Sequence, residues 1–310
     1  MKIYFLLLLI ICSMFVSCKK SDKQPPIDNA IDLDGTLIND SSLLYPERFL
    51  QSTRNKTPNE TEKNQPVFIC VHGYSASTFE WIEFKDFIQE NGNATTSLVL
   101  LGGHGRDYED FKKATWTDWQ APILTEIQNL INLGYKNLYL IGSSTGCPLI
   151  LNTLYQNKLS SNVKGITLID PIIVPSNKTL SLVSAVGPML GYSTSEFEAG
   201  EVGFWYKYRP YQSLKELNTL TQEVRKKLEI GINTEIPITV YKSNKDGSAD
   251  PISAVLLDKG LKMKGTATKK IEMIESELHV FTRLHGRNSF TSKDIENQQK
   301  VFNELLNISK

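Results

Sequence analysis

Ser144 stands at the centre of the run Gly142-Ser143-Ser144-Thr145-Gly146. An apolar stretch, residues 137–141, leads into it, and a helical pattern, residues 147–155, leads out. That order reads as strand, sharp turn, helix. Such a turn strains the backbone of its apical residue and lifts the side chain clear of the chain. The positions two before and two after must be small, or strand and helix collide. The glycine spacing puts Ser144 at the apex and leaves Ser143 in the strand. A serine hydroxyl is a weak nucleophile by itself. The chain must also supply a base, an acid to orient the base and donors for an oxyanion.

The chain holds four histidines: His72, His104, His279 and His285. A serine on an elbow of this kind takes its partners later in the chain, acid first and histidine last. His279 and His285 therefore compete. His279 is preferred, because it follows the last expected strand by only a few residues and a loop there can return it to the sheet edge. For the acid, Asp246 and Asp250 follow the expected strand 236–241. Asp250-Pro251 has the form of a helix start. Asp246 has no such structural use and is preferred, with Asp170 a third candidate. The oxyanion donors are expected to be the backbone N–H groups of Thr145, next to the nucleophile, and Tyr74, in the loop after residues 67–71. No metal-ligand spacing or dinucleotide-binding glycine pattern occurs, so neither a metal nor a cofactor is expected.

These residues need a frame. From Pro66 onward, short apolar runs alternate with helical patterns. Strands are expected at 67–71, 97–101, 137–141, 165–169, 236–241 and 270–274. Helices are expected at 79–89, 119–133 and 290–306. Continuous apolar strands, each followed by a helix, imply a mostly parallel α/β sheet with helices on both faces. Ligands then sit beyond the carboxyl ends of the strands, where His72-Gly73, Gly103-His104-Gly105, Ser144 and Asp170 all fall. The alternation breaks at about 172–218, a segment rich in Leu, Val and aromatic residues. It is expected to be an inserted cap.

The 310 residues carry 40% hydrophobic and 22% charged side chains with a net charge of +0. That is ordinary for a globular fold and gives no reason to expect nucleic acid as a partner. Residues 1–17 are a short positive start and an apolar run too short to span a membrane permanently, as in a secretory signal. Phe15-Val16-Ser17-Cys18 resembles a bacterial lipobox. That resemblance implies lipidation of Cys18 and an exported protein held at a membrane by its N-terminal lipid. Residues 18–65 read as a polar tether with a short helix around 45–51. Asp32-Leu33-Asp34-Gly35-Thr36 matches the first motif of haloacid-dehalogenase phosphatases, but no buried strand precedes it, and the match reads as coincidence. Cys70 and Cys147 lie in apolar surroundings and are expected to be buried free thiols.

His72-Gly73, Gly103-His104-Gly105, the Ser144 elbow, Asp246 and His279 together resemble the α/β-hydrolase superfamily from about Pro66 to the C-terminus. The Gly-His-Gly run resembles its monoacylglycerol lipase and small bacterial carboxylesterase branch. The resemblance implies a serine esterase acting on a small-molecule ester of short to medium acyl length, such as a monoacylglycerol, with Asp246 in the acid's place. The fold alone also admits an amidase, thioesterase or lactonase. A surface lipoprotein that binds a ligand without cleaving it is the rival from another class.

Overall fold

The computed structural model describes residues 23–27, 56–196 and 198–308. The apolar leader, Cys18, the Asp32 to Asp34 stretch and the helix expected around 45–51 lie outside the described residues. Among the described residues ten strands form: β1 (Pro66–Val71), β2 (Thr95–Val99), β3 (Asn137–Ser143), β4 (Val163–Ile169), β5 (Tyr192–Thr194), β6 (Tyr208–Pro210), β7 (Ile232–Thr234), β8 (Ile238–Ser243), β9 (Leu261–Met263) and β10 (Lys269–Ile274). Six make one sheet in the order β10-β8-β4-β3-β1-β2, and every neighbouring pair is parallel.

The apolar runs are continuous because both faces are covered. Within β1, Val67, Ile69 and Val71 enter one core with Trp119, Ile123 and Leu149. Phe68 and Cys70 enter a second core with Phe84, Phe302 and Leu305. Helices Trp116–Asn132 and Gly146–Tyr155 thus cover one face, and Ile82–Asn91 and Ser292–Ile308 the other. Cys70 and Cys147 are both buried free thiols.

Two strands are displaced from their expected positions, and buried polar residues are the reason. β2 starts two residues early, at Thr95, because the polar Thr96 is fully buried beside Ser97, whose own hydroxyl donates to Glu126 Oε1 at 2.6 Å. β8 runs on through Lys242 and Ser243, which are buried and hydrogen-bonded to Asp170. A polar residue with a buried partner stays in a strand that hydropathy alone would end. The helix expected at 79–89 opens as a 3-10 turn, Thr78–Trp81, and becomes α-helical only at Ile82.

Between β4 and β8 lie the 3-10 turn Lys178–Leu182, the helix Val183–Leu190, an antiparallel β5–β6 pair and the helix Tyr211–Ile230. Tyr206 joins this excursion to the sheet. Its N–H donates to Ser75 O at 2.8 Å, and its hydroxyl donates to Arg106 O at 2.7 Å. Its ring stacks on Phe111 at 4.2 Å.

Two histidines brace the loops at the carboxyl edge. His72 Nε2 accepts from Leu101 N–H at 3.1 Å, and its Nδ1–H donates to Gly73 O at 2.8 Å. His104 Nε2 accepts from Ser75 N–H at 3.3 Å, and its Nδ1–H donates to Gly102 O at 3.2 Å. Each ring needs one bare nitrogen, so both are neutral. Burial agrees: it holds His72 down to about 4 and His104 well below the ordinary histidine value. An unfolded histidine titrates near 6.5. The unfolded chain therefore binds two protons below that pH that the folded chain refuses. This stability is present in full above about pH 6.5 and is lost as pH falls toward 4. Urea unfolding should give roughly 4 kcal/mol less stability at pH 5 than at pH 7.5; equal midpoints at the two pH values would contradict neutral, braced histidines.

Candidate active site

The elbow begins with β3, which delivers Ser144 at φ 48°, in the left-handed region that costs a non-glycine residue. Close packing explains both glycines. A Cβ on Gly146 would lie 2.4 Å from Val71 O, and one on Gly142 would lie 2.9 Å from the backbone of Gly146. Either would push the helix off the sheet.

His279 comes from the loop after β10, and Asp246 from the loop after β8. His279 Nε2 lies 2.8 Å from Ser144 Oγ, and His279 Nδ1 lies 2.7 Å from Asp246 Oδ2. The other Asp246 oxygen accepts from Ser248 N–H at 2.7 Å and Ala249 N–H at 3.0 Å. Burial by itself would raise the Asp246 pKa. The hydrogen bond and charge of His279, followed by those of Lys242, overcome it and hold the carboxyl at about 2. Asp246 is thus an ionised acceptor. Nδ1 must then carry the histidine proton, and Nε2 presents its lone pair to the serine hydroxyl.

A third charged residue reaches this carboxylate. Lys242 is wholly buried in β8. It donates to Asp246 Oδ2 at 2.6 Å, to Asp170 Oδ1 at 3.3 Å and to Ser243 O at 3.2 Å. All three ammonium protons are satisfied. Asp170 also accepts from Ser243 N–H at 2.7 Å and from Phe281 N–H at 3.0 Å. The latter bond grips the histidine loop just past Val280. That valine has φ 55°, a conformation that a β-branched residue rarely adopts. Arg287 holds the same turn from the other side, donating to the carbonyls of His279 and Val280.

The backbone at Gly73 and Tyr74 runs against Ser144. A Cβ on Gly73 would sit 3.0 Å from Ser144 Cβ and 3.5 Å from its Oγ. Tyr74 N–H and Thr145 N–H have no hydrogen-bond acceptor among the described residues, so both remain available at this point. Glu80 braces the loop. One carboxylate oxygen accepts from Gly73 N–H at 2.8 Å and from the Ser143 hydroxyl. Burial raises the Glu80 pKa, against the pull of those two donors.

The competing residues lie elsewhere. Asp250 Oδ1 accepts from Ile252 N–H at 2.9 Å just ahead of the helix Ile252–Gly260, whose N-cap is Pro251 rather than Asp250. His285 is exposed, its ring edge-on to Phe79 at 5.1 Å. Asp170 serves Lys242 and the histidine loop. Glu80, Lys242 and Arg287 were not anticipated. Lys242 directly follows the expected strand 236–241, and only the extension of β8 through it shows a buried lysine that demands anionic partners. Above Ser144 opens a cavity of about 720 Å³, lined by Ile172, Leu180, Val183, Leu190 and Leu217 among others. Among the described residues no three His, Cys, Asp or Glu side chains converge to hold a metal, and no helix is long and apolar enough to cross a membrane.

Known proteins share this arrangement of elements. A metagenome-derived lipolytic enzyme, from work on LipS and LipT, matches with a TM-score of 0.65 and 18% identity, over 79% of this chain and 93% of that one. The Paleococcus ferrophilus monoacylglycerol lipase matches with a TM-score of 0.60 and 14% identity, over 79% of this chain and 96% of that one. The chain has the α/β-hydrolase fold. In sequence it is 23% identical to a thermostable monoacylglycerol lipase of Bacillus sp. (strain H-257), over 76% of this chain and 91% of that protein. No protein-family model matches.

The Lys242 network yields a stability prediction. Lys242→Met leaves two buried carboxylates without their shared cation and should cost roughly 3 kcal/mol or more in urea unfolding. Adding Asp170→Asn removes one of those charges and should recover part of the loss. A single-variant cost below about 1 kcal/mol would show that the ammonium is not what holds the pair.

Proposed function

We propose that the chain is a serine hydrolase that cleaves carboxylic esters through an acyl-enzyme. The observation that carries this reading is the continuous path from the Ser144 hydroxyl through His279 to an ionised Asp246. Ser144 Oγ attacks the ester carbonyl as His279 Nε2 takes its proton. Asp246 keeps Nδ1 protonated and balances the imidazolium. Thr145 and Tyr74 N–H groups receive the oxyanion. His279 then protonates the departing alcohol, and water attacks the acyl-enzyme by the same route in reverse. The leucine-rich cavity supports a substrate with a short to medium acyl chain, and the likeness to a monoacylglycerol lipase supports ester chemistry over other acyl transfers.

A fluorophosphonate probe should label the wild type and not Ser144→Ala. Hydrolysis of 4-nitrophenyl butyrate should fall by roughly four orders of magnitude in Ser144→Ala, and comparably in His279→Gln and Asp246→Asn. Equal labelling of wild type and Ser144→Ala would defeat the reading.

We also propose that Cys18 is lipidated and anchors the exported chain at a membrane of the bacterial cell envelope. The lipobox-like Phe15-Val16-Ser17-Cys18 after an apolar leader supports this. Cells fed an alkyne fatty acid should label the full chain but not Cys18→Ser, and a label that survives the substitution would rule the anchor out.

A further inference from the structure

Arg209, in β6, occupies an unusual position. It lines the apolar cavity and also a smaller, polar cavity of about 240 Å³, and Ser144, His279 and Tyr74 line both. Its guanidinium carbon lies 5.8 Å from the centre of the Tyr74 ring. Its Nε is buried without a hydrogen-bond partner. Among the described residues the guanidinium enters no ion pair. Burial pulls its pKa below the usual arginine value, although Tyr74 and Glu201 oppose that shift.

The neighbouring arginines are fully engaged. Arg283 donates to Glu201 Oε1 at 2.6 Å and to His285 O at 3.2 Å. Arg287 lies 3.5 Å from Glu198 Oε1 and donates to Arg283 O at 2.7 Å, besides holding the histidine loop. The carboxylates of Glu201 and Glu198 are therefore in use, and that of Glu80 is taken by Gly73 and Ser143. Glu196, the remaining acid of the polar cavity, is exposed. Arg209 is half-buried: its Nε has lost water without gaining an acceptor, a costly arrangement that a bound acceptor would relieve. Arg209 shares both cavities with the serine. Its acceptor must arrive with the ligand.

We propose that Arg209 binds an oxyanion carried by the substrate, so that the preferred esters bear a carboxylate or phosphate group a few bonds from the scissile carbonyl. The proposal rests on reading the site as a serine hydrolase. The guanidinium fork matches both oxyanions in a paired geometry that a lysine cannot copy. Its place where the two cavities meet sets the anion near the ester, on the polar side. The hydrocarbon part of the substrate then fills the leucine-lined cavity. Partial withdrawal of the fork from water strengthens the attraction.

The test uses three esters: phenyl butyrate, 3-carboxyphenyl butyrate and its 3-phosphate counterpart. For each anion, the ratio of its kcat/KM to that of phenyl butyrate is compared between wild type and variants. In Arg209→Gln the ratio should fall about 10- to 100-fold for at least one anion, and Arg209→Lys should keep part of it. The arm with the larger fall identifies carboxylate or phosphate. An unchanged ratio in both arms overturns the proposal. So does an equal loss on all three esters, which would mean that Arg209 serves the reaction's own oxyanion. A measurement on the wild type alone guards against a misfolded variant: benzoate or phenyl phosphate should inhibit phenyl butyrate hydrolysis more strongly than benzyl alcohol does, and no such difference overturns the proposal as well. A wild type that cleaves none of the esters and takes no fluorophosphonate instead fails the serine-hydrolase reading, and this one with it.

Discussion

Asp170, Lys242 and Asp246 are three charged side chains closed off from water, and the site depends on their contact. Asp170 follows β4, Lys242 lies in β8 and Asp246 follows β8. The group carries a net charge of −1, which is what an imidazolium beside Asp246 needs. A lysine against the acid alone would cancel the charge that orients the histidine. The second carboxylate restores it. Burying such a group is worthwhile only when every donor and acceptor is satisfied. Here Lys242 has three acceptors, and both aspartates accept backbone N–H groups as well.

The same group carries position from the sheet to the histidine. Asp170 bonds the N–H that follows Val280, and Arg287 bonds the carbonyls on either side of that residue's strained turn. His279 is thus set from two directions, although its loop belongs to neither strand end that holds the acids. On the opposite side of Ser144, Glu80 ties the Gly73 loop to Ser143. His72 and His104 then tie that loop to the one after β2. Buried polar bonds fix the carboxyl edge of the sheet, while apolar packing fixes its faces.

The excursion between β4 and β8 adds contrast above this edge. Its leucines make one side of the opening apolar, and Arg209 with the residues around it makes the other polar. Tyr206 fastens it to the loops after β1 and β2, so its side chains hold a set place over Ser144.

Local chemistry made much of this legible before any fold was drawn. The Gly-x-Ser-x-Gly spacing marks Ser144, because only a tight turn needs small residues two places either side. Continuous apolar runs mark a sheet buried on both faces, and chain order separates late histidines from early ones. The strand ends at 243 and 95 were less legible, because Lys242, Ser243 and Thr96 are polar in sequence yet buried in the fold. Asp246 and Asp250 are both aspartates after one strand, and in sequence only the Asp250-Pro251 helix-start pattern separates them. Only the tertiary structure puts one against the imidazole and the other on a helix end. The tasks of Glu80, Asp170, Lys242 and Arg209 were beyond sequence reasoning for one reason. A charged residue's task depends on which partner reaches it through space, and partners such as Asp170 and Lys242, 72 apart in the chain, meet only after the sheet has formed.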